Sequence, residues 1–320
     1  MTVKKQKSGK WSTDDLQLFF LSLPTVLWYL LFCYLPMFGI LIAFKKYAVI
    51  PGTGFLHSLL RSEWSGLDNF RFLFANNRET TVNMFVNTLG YNLLFIALDI
   101  LVPVALAIMI SSLRSRRLAR TVQTALFLPH FLSWVVVGYF VFAFLSTDHG
   151  LLNHLLSLLG GSPVRWYQEE AIRFWPWILV YLHLWKTVGY SMVIFLAALK
   201  GIDSSYYEAA MIDGAGRWQQ TRHITLPMLR PVIVMVFILA TGRIFNSDFG
   251  LFYRTTRNSG SLTPVYLTLD VYVFNAMFNS PRPVYGYISA AGALQSVLGC
   301  LTLLATNRIV RGVDPENALF

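Results

Sequence analysis

The sequence predicts an all-α integral membrane protein with six transmembrane helices. The 320-residue chain is 55% hydrophobic and only 13% charged, whereas an ordinary soluble domain carries about 25% charged residues. Its mean hydropathy is +0.52. Six separate apolar stretches also reach the roughly 20 residues that a helix needs to cross a bilayer core of about 30 Å. The lipid bilayer is therefore the first partner that the composition predicts.

The predicted spans divide the chain into a short first part and a core of five spans. In chain order the six spans are 19–44, 84–110, 124–145, 174–199, 228–249 and 285–305. The corresponding organisation is an N-terminal segment 1–18, a first span with its outer loop 19–83, a core 84–305 that contains the loop 200–227, and a C-terminal tail 306–320. The fifth span has the weakest signal, because Arg230 and Arg243 interrupt it.

The distribution of Lys and Arg predicts that both termini lie in the cytoplasm. With the N-terminus inside, the inner segments carry 13 Lys and Arg in 74 residues, and the outer segments carry 10 in 102. Cytoplasmic loops of membrane proteins carry an excess of these residues. The net charge of +10 therefore follows mostly from topology, and it does not argue for a nucleic-acid partner.

The loop 200–227 contains a short helix with its own start and stop signals. Ser205 and Glu208 fit a capping box, in which the two side chains satisfy backbone N–H groups at the helix start. Gly214 follows Asp213 where a helix commonly ends in the left-handed conformation. A second helical piece is expected over 218–224, with Pro227 at the junction with the fifth span.

This short helix is predicted to carry an apolar face that nothing else in the chain covers. The side chains concerned are Tyr206, Tyr207, Ala210 and Met211. Exposed apolar patches usually mark a site for a partner. The alternative is a capped helix that rests on the lipid surface.

The same stretch, "YYEAAMIDGAGRWQQTRHITLP", resembles the EAA loop of permease subunits in binding-protein-dependent ABC importers. The family pattern is E-A-A, three residues, G, nine residues and I-x-L-P. The positions that match this pattern are Glu208, Ala209, Ala210, Gly214, Ile224, Leu226 and Pro227, and Asp213 and Ala215 also fit. Further stretches, among them "YLPMFGILIAFKKY" and "RTVQTALFLPHFLSWVVV", are similar to the polysaccharide branch of the sugar permeases.

The resemblance implies the type I importer permease fold, with one outer helix, a core of five spans and a cytoplasmic coupling helix. It implies as partners a second homologous permease, two ATPase subunits that bind ATP and Mg, and a periplasmic or extracellular solute-binding protein. The implied location is the bacterial cytoplasmic membrane. The residues expected to couple to the ATPase are Tyr206, Tyr207, Glu208, Ala209, Ala210, Met211, Asp213, Gly214 and Ala215.

The sequence contains no motif for catalysis, metal binding or ATP binding by this chain itself. Its only Gly-Lys pair, Gly9 with Lys10, precedes Trp11, so there is no P-loop. There is no H-E-x-x-H and no C-x-x-C, and the six histidines are scattered. We therefore expect that this chain is not an enzyme and binds no cofactor, and that catalysis takes place on the partner ATPase.

Ionisable residues inside the spans indicate a substrate path, because such residues are costly in a membrane. They are Asp99, Lys186 and Arg243. Two positive charges would suit an acidic polysaccharide such as alginate. The alternatives are that Asp99 pairs with one of these cations, or that Arg243 extends outward to the membrane surface.

Polar and aromatic residues near these charges are further candidates for contact with a sugar. Asn246 and Asp248 would bind sugar hydroxyls, and an aromatic stacking path would contain Tyr139, Tyr181, Trp185 and Tyr190. Aromatic belts at the two membrane interfaces are the alternative explanation of the aromatic content. At the level of function, the alternatives are a permease for a non-sugar solute and a stand-alone channel or membrane scaffold.

Overall fold

A computed structural model describes residues 12–75, 78–279 and 284–319, and helices dominate them. In a bilayer each backbone polar group must be satisfied within the chain, which favours helices for long apolar runs. The α-helices of the described residues are α1 Thr13–Tyr29, α2 Leu35–Met37, α3 Phe55–Arg61, α4 Asp68–Ala75, α5 Arg78–Ser111, α6 Arg116–Phe127, α7 Trp134–Leu145, α8 Leu151–Leu158, α9 Trp175–Lys200, α10 Ser204–Ile212, α11 Arg217–Gln220, α12 Leu226–Thr241, α13 Thr263–Tyr266, α14 Leu269–Phe274 and α15 Tyr285–Val313.

Short 3₁₀ and π segments extend or connect these helices. The 3₁₀ segments are Phe38–Phe44, Leu128–Phe131, Glu169–Phe174, Gly260–Leu262 and Pro315–Asn317. The π segments are Leu30–Tyr34, Thr221–Thr225, Gly250–Arg254 and Asn275–Asn279.

Five helical stretches of the described residues are long and apolar enough to cross a membrane. They are Thr13–Phe44, Glu79–Ser111, Glu169–Lys200, Arg217–Thr241 and Tyr285–Val313. A sixth is obtained if the bent pair of helices Arg116–Phe131 and Trp134–Leu145 forms one span. The fold is therefore that of an all-α protein with several membrane-spanning helices, as the sequence predicts.

The predicted third span, 124–145, is not one straight helix, because the chain turns by 97° at a break within it. Pro129 lies in a 3₁₀ turn, and Leu132 after it is extended, with φ −72° and ψ 133°. The side chain of Ser133 then accepts a hydrogen bond from the backbone N–H of Val136 and starts α7 as a new helix. A proline followed by a capping serine is a local break signal.

The predicted bounds of the fifth span are wrong. The helix begins at Arg217 and ends at Thr241, and residues 242–248 form turns and irregular chain instead of a helical end. Pro227 does not interrupt the helix, because the π segment before it shifts the hydrogen bonding: the N–H of Leu226 reaches the carbonyl of Thr221. A proline lacks the N–H that a regular turn would use and crowds the carbonyl four residues earlier.

Helices α5 and α9 lie at the centre of the bundle. Two apolar clusters follow them, one around Tyr91 and Leu179 and one around Ala107 and Phe195. At Gly189 the backbones of α9 and α6 touch, since a Cβ there would lie 2.1 Å from the carbonyl oxygen of Leu126. By contrast, α1 contains no buried residue. The α5–α9 pair therefore provides the scaffold on which the candidate sites lie.

Candidate coupling loop and polar sites in the spans

The N-cap of helix α10 is Asp203, two residues before Ser205, the cap that the sequence predicts. The Asp203 carboxylate accepts the backbone N–H of Ser205 at 2.9 Å, and this hydrogen bond lowers the pKa of the carboxyl. The predicted box between Ser205 and Glu208 is wrong, because Glu208 Oε1 instead accepts from the hydroxyl of Ser204 at 3.1 Å. In "DSS" the aspartate is the first of three possible caps, and its side chain takes the role.

The chain leaves α10 through Gly214, which follows the C-cap Asp213 and has the left-handed conformation with φ +80°, which confirms the predicted geometry. The N–H of Gly214 reaches the carbonyl of Met211 at 3.1 Å, and that of Ala215 reaches the carbonyl of Ala210 at 2.8 Å. These two bonds form a Schellman motif. A Cβ at Gly214 would meet no atom within 4 Å, so only the backbone angle requires glycine here.

The exposed apolar face of α10 differs from the predicted one. Tyr206 and Met211 are exposed, as predicted, and they are joined by Ile212, which is 87% exposed. Tyr207 and Ala210 are half-buried and face the body of the protein. Around this face Glu208, Ala209 and Asp213 are exposed, and Trp218, which the sequence reasoning missed, is exposed in the next helix.

One side-chain contact joins α10 to the base of the long helix that follows it, and two further hydrogen bonds order the short chain between them. The hydroxyls of Tyr207 and Thr225 lie 3.0 Å apart. The side-chain amide of Gln220 donates to the carbonyl of Ala215 at 3.0 Å, and the backbone N–H of Gly216 donates to the Gln219 side chain at 2.8 Å. A displacement of α10 would therefore be passed to α12 through short contacts.

Lys186 lies in a set of contacts at the break between α6 and α7. Its Nζ donates to the carbonyl of His130 at 2.8 Å and lies 5.4 Å from the centroid of the Trp134 ring. Trp134 Nε1 donates to Asp248 Oδ2 at 2.6 Å. A cation and a carboxylate thus contact the same tryptophan. Tyr190 is also nearby, with its ring stacked 4.7 Å from that of His130.

The predicted alternative in which Asp99 pairs with Lys186 or Arg243 is wrong. Asp99 Oδ2 lies 2.9 Å from His183 Nε2, and its Oδ1 accepts from the Thr187 hydroxyl at 3.0 Å. His183 and Thr187 are one turn apart on α9 and share the face that packs on α5. Lys186 adjoins Thr187 on the helix, and its side chain turns toward the α6–α7 break instead.

The remaining predicted substrate-path residues lie in several places. Arg243 and Asn246 are exposed in the turns after α12, and in the described part of the chain Arg243 forms no ion pair. Asp248 Oδ1 accepts the backbone N–H groups of Gly250 and Leu251 and so caps the next helical turn.

The four aromatic candidates do not line one cavity. Tyr181 and Trp185 line an apolar groove of about 830 Å³ between α7 and α9. Tyr139 lines a separate cavity of about 220 Å³ together with Arg254 and Arg257. The polar residues that the sequence reasoning missed are His130, Trp134, His183 and Thr187. The helix break "LPHFLSW" was the available signal for the first two.

The fold and the loop together define a membrane component of a transport system. Residues 99–314 match the family model described as "Binding-protein-dependent transport system inner membrane component", and the chain belongs to this family. It is thus a multi-pass permease of the ABC importer type.

Similar proteins include two from Bacillus subtilis (strain 168). Protein LplB is 35% identical over 315 residues, which cover 97% of this chain and 91% of that protein. The polygalacturonan/rhamnogalacturonan transport system permease protein YteP is 34% identical over 299 residues, 93% of this chain and 89% of that protein.

Among solved structures, this chain is similar to one described as a bacterial ABC transporter involved in the import of the acidic polysaccharide alginate. The two share 30% identity with a TM-score of 0.79, over 94% of this chain and 97% of that chain. A second structure, of a bacterial alginate ABC transporter in complex with an alginate pentasaccharide-bound periplasmic protein, gives a TM-score of 0.80 at 30% identity, over 94% of this chain and 96% of that chain.

Proposed function

We propose that this chain is one of two permease subunits of an ATP-driven importer, and that the pair forms the path for an acidic oligosaccharide or polysaccharide of the alginate type. The observation that carries the ATP-driven mechanism is helix α10, a rigid, capped helix that presents Tyr206, Met211 and Ile212 outward. The substrate class is supported by the similarity of this chain to YteP, a polygalacturonan/rhamnogalacturonan transport permease, and to the alginate transporter structures.

In this proposal α10 docks in a groove of an ATPase subunit on the cytoplasmic side of the bacterial inner membrane. Two such subunits bind ATP and Mg, and this chain binds neither. Both termini of the chain lie in the cytoplasm, and a solute-binding protein delivers the substrate from the opposite side. The closing motion of the ATPases reaches α12 through the Tyr207–Thr225 and Ala215–Gln220 contacts.

Lys186 is proposed to meet the carboxylates of the substrate as they pass the α6–α7 break. The cation has a single backbone acceptor, the His130 carbonyl, and lies beside the Trp134 ring. An ammonium group has three donors, so it can keep this bond and still bind a carboxylate. The Trp134 ring beside this cation also suits a sugar acid, because the apolar face of the sugar could stack on the ring while its carboxylate binds Lys186.

The test is uptake of labelled alginate oligosaccharides by vesicles that contain the complete importer. Lys186→Met should lower uptake about tenfold or more, because a hydrogen bond to a charged group is worth about 1.5–3 kcal/mol. Lys186→Arg keeps the charge and should retain most of the activity. Equal uptake by the unaltered importer and by both variants would show that Lys186 does not contact the substrate. Uptake without ATP would instead favour a stand-alone channel.

A further inference from the structure

A strongly basic pocket lies at the end of the bundle where α5 and α9 finish. Its volume is about 830 Å³. The basic residues that line it are Arg114, Arg116, Arg120, Lys200 and Arg217, and no acidic residue lines it. Tyr207 of helix α10 forms part of the wall. The pocket is therefore bordered both by the loop after α5 and by the coupling loop.

The five cations converge from three separate segments of the chain. Arg114 to Arg120 surround the start of α6, Lys200 ends α9, and Arg217 begins α11. Among the described residues none of the five forms an ion pair; the four ion pairs found there are elsewhere, for example Arg230 with Asp314. An excess of basic residues is expected on the cytoplasmic side, but it does not require that they share one concave site.

A cleft lined by one sign of charge concentrates counter-ions, because the low-dielectric walls focus the field. Arginine has a planar fork of donors that matches a phosphate group, and four of the five cations are arginines. The pocket adjoins the ends of two membrane-spanning helices, at Ser111 and Lys200, which places it near the depth of lipid headgroups. Basic pockets between spans on the cytoplasmic side bind anionic headgroups.

We propose that this pocket binds a phosphate group, supplied by an anionic phospholipid headgroup or by a soluble phosphate-bearing anion. The bound group would offset part of the convergent positive charge and join the 114–120 segment to the coupling loop at Arg217. This site is separate from the path of the transported substrate, and the inference rests on the proposed function only in placing this end of the bundle on the cytoplasmic side.

The experiment uses the full-length chain, purified in detergent and stripped of lipid. Its thermal unfolding is followed while phosphatidylglycerol, phosphatidylcholine or inorganic pyrophosphate is added. The test variant carries Arg116→Gln, Arg120→Gln and Arg217→Gln together, all three at exposed positions. The matched control is Arg222→Gln, since Arg222 is exposed in the same loop and does not line the pocket. If the triple variant does not fold, the three single variants replace it.

The expected result is that the apparent affinity for phosphatidylglycerol falls about tenfold or more in the triple variant and less than about twofold in the control. Phosphatidylcholine should have no comparable effect on any of the proteins. If pyrophosphate shows this pattern and phosphatidylglycerol does not, the phosphate site stands and its ligand is soluble. The proposal is overturned if neither anion distinguishes the triple variant from Arg222→Gln.

Discussion

The coupling loop and the polar cluster around Lys186 are stabilised in different ways. In the loop, hydrogen bonds connect residues no more than 18 positions apart, and Tyr206, Met211 and Ile212 remain exposed. Around Lys186 the polar contacts join segments more than 50 positions apart. The loop can therefore move as one body with an open apolar surface. The cluster, however, must break contacts when the surrounding helices separate.

The largest effect is expected from Gly214→Val, which should abolish substrate-stimulated ATPase activity of the reconstituted importer. A residue with a Cβ at φ +80° costs about 1 kcal/mol or more, and β-branching adds to this strain. The spans are not altered, so the chain should still insert in the membrane.

Gly216→Ala is the matched control for that change. Gly216 lies two residues further on, with φ −68°, where any residue is accommodated, and an added Cβ meets only the Gln219 side chain at 3.8 Å. This variant should keep its stimulated activity. Full activity of Gly214→Val would contradict a coupling function for the rigid turn.

The loop was largely predictable from sequence because its structure depends on neighbours. The turn that ends α10 at Gly214 follows from the glycine itself, whereas the cap was misplaced, from Asp203 to Ser205, and Ile212 was left out of the exposed face. The long spans follow from apolar length, since lipid leaves helices as the main solution. The size of the turn in the third span, 97°, was not predictable, because its signals, Pro129 and Ser133, lie inside an unbroken apolar run.

The hydrogen-bond partners of the charged residues inside the spans were not predictable in the same way. Which residue meets Asp99 depends on how α9 is rotated against α5, and Lys186 and His183 are only three positions apart on α9. Sequence reasoning identified the charged residues correctly as unusual. It could not decide whether Lys186 or His183 pairs with Asp99, because the rotation of α9 depends on packing at Phe95, which stacks on His183, and at Gly189, which touches α6.

Asp99→Ala tests whether the spans are held by their long-range polar contacts. The change leaves His183 Nε2 without a partner, whereas the Thr187 hydroxyl keeps the His183 carbonyl as an acceptor. An unsatisfied group of this kind costs about 1–3 kcal/mol. The thermal unfolding temperature of the purified chain should fall. Asp99→Asn retains an acceptor, so its unfolding temperature should fall less. An unchanged unfolding temperature for both variants would show that the Asp99 contacts do not stabilise the spans.

Ile212→Ser tests the apolar face of α10 by weakening the complex with the ATPase. Burying an isoleucine side chain is worth about 1.5–3 kcal/mol, so the apparent affinity should fall about tenfold or more. Leu159→Ser is the control, because Leu159 is 85% exposed, close to the 87% of Ile212, but lies after α8. Equal binding of the two variants would remove Ile212 from the interface.

Tyr207→Phe should have the smallest effect, since it removes only the hydroxyl contact to Thr225. A hydrogen bond of this kind contributes about 0.5–1.5 kcal/mol. We expect stimulated ATPase activity to fall by a few-fold with little change in ATPase binding. Tyr206→Phe, at the exposed neighbouring position, should leave both quantities unchanged. A larger effect at Tyr206 than at Tyr207 would contradict the account, because it would show that the hydroxyl needed for coupling is that of Tyr206.

The central claim is that α10 is covered by an ATPase subunit, and amide hydrogen exchange tests it most directly. Exchange is compared between the intact importer and the same preparation after removal of the ATPases. We predict slower exchange over residues 204–214 in the intact importer and no difference over α8, Leu151–Leu158. Equal exchange over 204–214 in the two preparations would contradict the account.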